Sequence, residues 1–109
     1  MEKLERVNKE IDEFMLKNEF AKQLLETQLN ILIKEFEYSN KYNPVEHIKS
    51  RIKTKKSIEE KLIKKGYEYN VKNIEEHVHD IIGVRIVCVF LSDVYDIVKM
   101  IKKSGQFEI

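Results

Sequence analysis

From about Glu2 to Tyr38 the apolar positions recur at three- and four-residue steps. Leu4, Val7, Ile11 and Phe14 begin the stripe, and Ala21, Leu24, Leu25, Leu29, Leu32 and Phe36 continue it. That spacing predicts helix. No Gly or Pro interrupts it, but Asn18 falls on the apolar face, so one long helix and two helices broken near Asn18 both fit. The stretch "YSNKYNP" ends the pattern: it is polar and Asn-rich, and Pro44 disfavours helical geometry at Asn43.

The period then changes to two. In "EHIKSRIKT" His47, Lys49, Arg51 and Lys53 share one face and Ile48, Ser50 and Ile52 the other, which predicts a strand with one charged face. Ser57 followed by Glu60 has capping-box spacing and predicts a short helix through Lys65, stopped by Gly66. Asn73 with Glu76 repeats that spacing and predicts a second short helix to about Val78, with "YEYNVK" as the connection. In "HDIIGVRIVCVF" an apolar strand is expected from Val84 to Phe90. Ser92 then caps an amphipathic helix with Val94, Ile97, Val98 and Ile101 inward and Gly105 at its end. "QFEI" reads as the start of a further strand.

A continuous apolar strand normally lies inside a sheet with both faces covered. Two clear strands are a poor partner for so much apolar surface. The chain is therefore expected to be part of a larger α/β domain, with no internal repeat or low-complexity segment.

Composition narrows the class. Of 109 residues, 42% are hydrophobic and 36% charged, which fits a small globular domain and excludes a disordered chain. The apolar runs are far too short for a membrane span. The start "MEKLERVNKE" has no apolar core of a signal peptide. Cys88 has no second cysteine to pair with, so a reducing cytoplasm is the expected compartment. Net charge is +1, but it is unevenly spread. Residues 1–39 lean acidic, whereas His47 to Lys65 carries Lys49, Arg51, Lys53, Lys55, Lys56, Lys61, Lys64 and Lys65 against Glu59 and Glu60. A local basic cluster in a near-neutral protein points to one anionic site.

Arg51 and Lys53 share a strand face, and Ser57 and Lys61 lie one helical turn apart. A helix N-terminus at Ser57 would add free N–H groups, so the set suits a polyphosphate, with Arg as a fork and Lys as a point charge. On spacing alone, a solvated strand face and an ordinary capping box account for the same residues. Asp80, at the mouth of the apolar strand, could hold Mg²⁺ beside phosphates, or simply form a turn. Arg85 inside the strand needs a carboxylate, a ligand or solvent, because an unpaired buried charge is costly. By period two it shares a face with Val87 and Val89 and projects near Asp80; an internal salt bridge or an exposed edge are its plainer uses. A His-Asp phosphohydrolase site at His79–Asp80 lacks support, since His47 and His77 are the only other histidines and no acid-bearing helical pattern accompanies them. Cys88 reads as a small core residue. Tyr38, Tyr42, Tyr67 and Tyr69 could stack a base, though packing is the commoner use.

Taken together, "IKSRIKTKKSIEEKLIKKG" followed by "DIIGVRIVCVF" resembles the synthetase domain of the RelA/SpoT-type alarmone synthetases, the GTP pyrophosphokinases. Order, gaps and the following amphipathic helix agree over roughly residues 40–109, and no hydrolase segment is recognisable. The resemblance implies a nucleotidyltransferase-like fold, α/β (α+β), with a mixed sheet flanked by helices. It implies residues 1–39 as an N-terminal helical segment and 40–109 as the first part of the synthetase domain. It also implies transfer of the β,γ-diphosphate of ATP to the 3′-hydroxyl of GTP or GDP, giving AMP and (p)ppGpp, the alarmone of the stringent response. By matching position, Arg51, Lys53, Ser57, Lys61 and Arg85 fall on ATP-binding positions, and Asp80 falls on the catalytic Mg²⁺-binding acid. The family's guanine-stacking tyrosine and second catalytic carboxylate lie downstream of Ile109, so this chain is expected to hold the ATP half of the site and to be inactive alone. Homotetramers in some family members make self-association an expectation too. Two other functions compete. A basic-patch nucleic-acid module is disfavoured by the lack of interleaved aromatics and the near-zero net charge. A helical self-association fragment would rest on the acidic helical segment.

Overall fold

The computed structural model describes residues 2–104. Its elements are α1 (Glu2–Asn40), β1 (Val45–Ile52), α2 (Lys55–Lys64), α3 (Val71–His77), β2 (Ile82–Cys88) and α4 (Leu91–Ser104). The described fold is mixed α+β, with β1 and β2 forming a two-stranded antiparallel sheet. The Lys53 N–H donates to the Ile81 carbonyl (2.7 Å), and the Val89 N–H donates to the Pro44 carbonyl (3.0 Å). The residues "QFEI" and Gly105, expected as a strand stump and a helix stop, lie outside the described residues.

α1 is continuous. Asn18 does not break it, because its side-chain amide donates to the Phe14 carbonyl (2.9 Å) and so spares the core an unpaired polar group. At the C-terminal end Asn40 donates in the same way to Phe36, and Lys41 takes a positive φ of 67°. That left-handed residue ends the helix before Pro44.

The described residues fall into two compact units: 2–22 with 51–83, and 23–50 with 84–104. The core of the first unit is Ile11, Ile58, Leu62, Ile74, Val78 and Ile81. Ile58 and Leu62, four apart on α2, are wholly buried, as is Ile74 of α3. α2 stops in a Schellman motif, with the Tyr67 N–H on the Leu62 carbonyl, the Gly66 N–H on the Ile63 carbonyl, and Gly66 at φ 85°. The core of the second unit is Leu29, Ile33, Val45, Ile97 and Ile101.

Several sequence expectations shift. Ala21, Leu24 and Leu4 are exposed, and Ile33 rather than Ala21 is a core residue. On α4 only Ile97 and Ile101 of the expected four are buried; Val94 and Val98 face outward. β2 starts two residues earlier than expected, and its residues are half-buried rather than enclosed, because only β1 flanks it among the described residues. Val89 and Phe90 are exposed and lie beyond it. Both short helices begin one turn upstream of the expected caps. Thr54 caps α2, its hydroxyl accepting from the Ser57 N–H (3.2 Å), and Asn70 caps α3, accepting from the Asn73 N–H (2.9 Å). α4 starts at Leu91, ahead of Ser92. There the buried Asp93 accepts from the Phe90 N–H (3.2 Å) and from the Tyr42 hydroxyl.

Candidate active site

The alternation of β1 survives folding: His47, Lys49 and Arg51 are exposed while Ile48, Ser50 and Ile52 turn toward the cores. In the first unit this sets Arg51 and Lys53 at the end of β1. Thr54 then stops the strand and starts α2, which presents Ser57 and, one turn on, Lys61. The antiparallel partner returns through Asp80, Ile81, Ile82 and Gly83. These segments enclose a cleft of about 320 Å³ lined by Arg51, Ile52, Lys53, Thr54, Ser57, Asp80, Ile81, Ile82 and Gly83.

The electrostatics centre on Asp80. Its carboxylate accepts from Lys53 Nζ at 2.9 Å on one oxygen and from Lys61 Nζ at 3.0 Å on the other. Lys61 does not line the cleft wall; it joins the site through Asp80. Asp80 itself is 60% exposed, whereas the two lysines are largely covered at 22% and 34%. Hydrogen bonds from Lys53 and then Lys61 hold the Asp80 carboxyl well below its usual range, at about 2. The site therefore has two cations sharing one anion, with Arg51 and the Ser57 side chain alongside, and a net positive charge facing water.

Asp80 is the only carboxylate lining this cleft, and no cluster of three or more His, Cys, Asp or Glu residues among the described residues could cage a metal. One exposed carboxylate beside lysines suits Mg²⁺ that arrives with phosphate oxygens completing its shell. It does not suit a metal held by protein alone.

Five of the six expected site residues, Arg51, Lys53, Ser57, Lys61 and Asp80, thus fall in one unit, and four of them line one cleft. Ser57 is not the cap expected for α2; it sits inside the first turn, with its N–H taken by Thr54. Arg85 belongs to the other unit, on β2, and is exposed. The difficulty of a charge buried in a core strand does not arise, because that side chain reaches water.

Thr54 and Gly83 are cleft residues that the sequence pattern missed. Thr54 was a usable cap candidate, masked by the full capping-box match of Ser57 with Glu60. The histidines take no part here. His77 stacks on Tyr67, with ring centroids 3.8 Å apart, and its carbonyl accepts from Lys65. Tyr42 serves Asp93, Tyr69 packs at the edge of the first core, and Tyr38 is exposed.

Arg51 at the end of a strand with Lys53 just beyond it, a capped helix carrying Ser57 and Lys61, and Asp80 just before the returning strand define an α+β domain with a basic cleft. The family comparison gives that class its name. Residues 50–109 match the model of the region found in RelA and SpoT proteins, and the chain belongs to that family. It is 39% identical over all 109 residues to the GTP pyrophosphokinase YwaC of Bacillus subtilis. Its structure is similar to the small alarmone synthetase 2 of B. subtilis, with a TM-score of 0.68 and 42% identity over 89% of this chain. It is also similar to a GTP pyrophosphokinase family protein of Streptococcus pneumoniae, with a TM-score of 0.72 and 31% identity over 86% of this chain. The chain spans 52% of YwaC and 46% and 45% of the two solved chains, about half their length. No described helix is long and apolar enough to cross a membrane.

Proposed function

We propose that this chain supplies the ATP-binding half of a site that moves the β,γ-diphosphate of ATP to the 3′-oxygen of GTP or GDP. The observation that carries the proposal is the open cleft lined by Arg51, Lys53 and Asp80, with Lys61 joined to it through the Asp80 carboxylate. In the transfer the acceptor oxygen bonds to the β-phosphorus, the bond from that phosphorus to the α,β-bridging oxygen breaks, and AMP leaves. The acceptor's proton goes to a base outside this cleft, because Asp80, the cleft's carboxylate, is assigned to Mg²⁺.

Little covalent work falls to the protein in such a step; positioning and charge stabilisation dominate. Arg51 clamps phosphate oxygens with its fork, and Lys53 and Lys61 turn from Asp80 to the incoming phosphates. Ser57 donates its hydroxyl. Arg85, at a matching family position, is a further nucleotide contact in this proposal. Asp80 would hold Mg²⁺ brought in with the nucleotide, and that ion would supply neutralisation of the developing phosphate charge.

Two measurements on the 109-residue chain test this. Titration calorimetry with Mg²⁺ and a non-hydrolysable ATP analogue is expected to show saturable binding that is lost in Lys53→Ala and weakened, but still measurable, in Arg51→Ala. Thin-layer chromatography with labelled ATP, GTP and Mg²⁺ is expected to show no alarmone. Absence of binding overturns the ATP assignment, and product from the chain alone overturns the half-site.

A further inference from the structure

Gly83 lies on β2, half-buried, on the wall of the phosphate cleft. Nothing in its backbone demands glycine. Its φ is not in the left-handed region, where Gly66 is the glycine found among the described residues. Glycine weakens a strand interior, through lost chain entropy and the absence of a side chain to pack. A strand that keeps one without a backbone reason usually does so because something approaches closely.

Here the neighbour is identifiable. A Cβ placed on Gly83 would meet Arg51 Cγ and Arg51 Nε, both at 3.9 Å. That is ordinary van der Waals contact, so a methyl group fits without moving the backbone. A side chain with atoms beyond Cβ would share the space beside Arg51 Cγ and Nε. The bare backbone at residue 83 therefore leaves the volume next to Arg51 Cγ and Nε unfilled, beside a planar guanidinium that must orient toward its ligand.

We infer that Gly83 is a positioning residue: its missing side chain keeps the Arg51 guanidinium free to adopt the orientation that a bulky nucleoside polyphosphate requires. The inference rests on the polyphosphate assignment above, and it adds a residue that works through Arg51 rather than by touching the phosphates.

A functional glycine and a merely tolerated one differ in sign. Gly83→Ala and Gly83→Val, made in the 109-residue chain, are expected to keep or raise the melting temperature, because both residues suit a strand better than glycine. Binding of the Mg²⁺ complex of the non-hydrolysable ATP analogue is expected to change less than about threefold in Gly83→Ala and to weaken about tenfold or more in Gly83→Val, a shift of roughly 1.4 kcal/mol. In an Arg51→Ala background the valine is expected to cost almost nothing further, the non-additivity that marks action through Arg51. Unchanged binding in Gly83→Val, or a lowered melting temperature in Gly83→Ala, overturns the inference while leaving the site intact. Failure of the unsubstituted chain to bind the analogue removes the site and the inference together.

Discussion

Replacing Asp80 by Asn should change nucleotide binding in opposite directions with and without Mg²⁺. In the free protein Asp80 holds the ammonium groups of Lys53 and Lys61 at 2.9 and 3.0 Å and cancels one of their two charges. Toward a triphosphate stripped of metal, the carboxylate is a like charge at the same place. A unit charge about 4 Å from a phosphate oxygen is worth about 1 kcal/mol at the dielectric of bulk water, the right limit for a group so exposed. Since 1.4 kcal/mol is tenfold, Asp80→Asn should tighten ATP binding roughly fivefold in EDTA. With Mg²⁺ present the carboxylate becomes an anchor. Its loss should cost at least the roughly tenfold that removing even an outer-shell metal partner costs. The assay is fluorescence titration with a labelled ATP analogue at low and fixed ionic strength, in EDTA and in Mg²⁺, with circular dichroism confirming that the variant is folded. Weakening by the same factor in both buffers would refute the reasoning and reduce Asp80 to a partner of its lysines.

Thr54→Ala should destabilise the protein by about 1 kcal/mol through loss of the α2 cap, whereas Ser57→Ala should leave chemical denaturation nearly unchanged and weaken nucleotide binding. Asp93 is wholly buried and receives hydrogen bonds from Tyr42 and from the Phe90 N–H, so Asp93→Ala should cost about 2–4 kcal/mol in urea melts, with Tyr42→Phe costing less. The Asp80 carboxyl titrates near 2 in the folded protein, below its unfolded value, so its ion pairs stabilise above about pH 4 and are lost as pH falls toward 2. Because the group is mostly in water, the difference between wild type and Asp80→Asn in urea melts from pH 6 to 2 should be under about 1 kcal/mol and shrink toward zero at the acid end.

The strong periodic signals in the sequence carried over. The alternation from Glu46 to Ile52 gave β1 its charged face, and Gly66 marked the stop of α2. Starts were harder. Ser57 and Thr54 both suit a cap and lie one turn apart, as do Asn73 and Asn70, and in each case the first polar residue in extended backbone takes the role. Spacing alone cannot separate positions that share a helix face. Asp93 was invisible as a core residue because its burial depends on a tyrosine 51 positions away. At the site, Asp80 and the lysines were singled out by spacing and charge and given roles by the family resemblance, but their mutual pairing was not legible, since it requires the strand reversal that returns Asp80 to the end of β1. For Arg85 the surrounding apolar run left burial with a partner and an exposed edge both open, and the side chain is exposed because β2 is only half-covered among the described residues.

The most direct test of a phosphate site at this cleft is an amide NMR titration of the 109-residue chain with the Mg²⁺ complex of the non-hydrolysable ATP analogue. A second concave region, lined by Glu26, Asn30, Glu46, His47 and Ser50 in the other unit, serves as an internal control. Shifts should concentrate at residues 51–57, at Lys61 and at residues 80–83, and should disappear in Lys53→Ala. Shifts centred on residues 26–50, with residues 51–57 and 80–83 silent at saturation, would contradict the assignment.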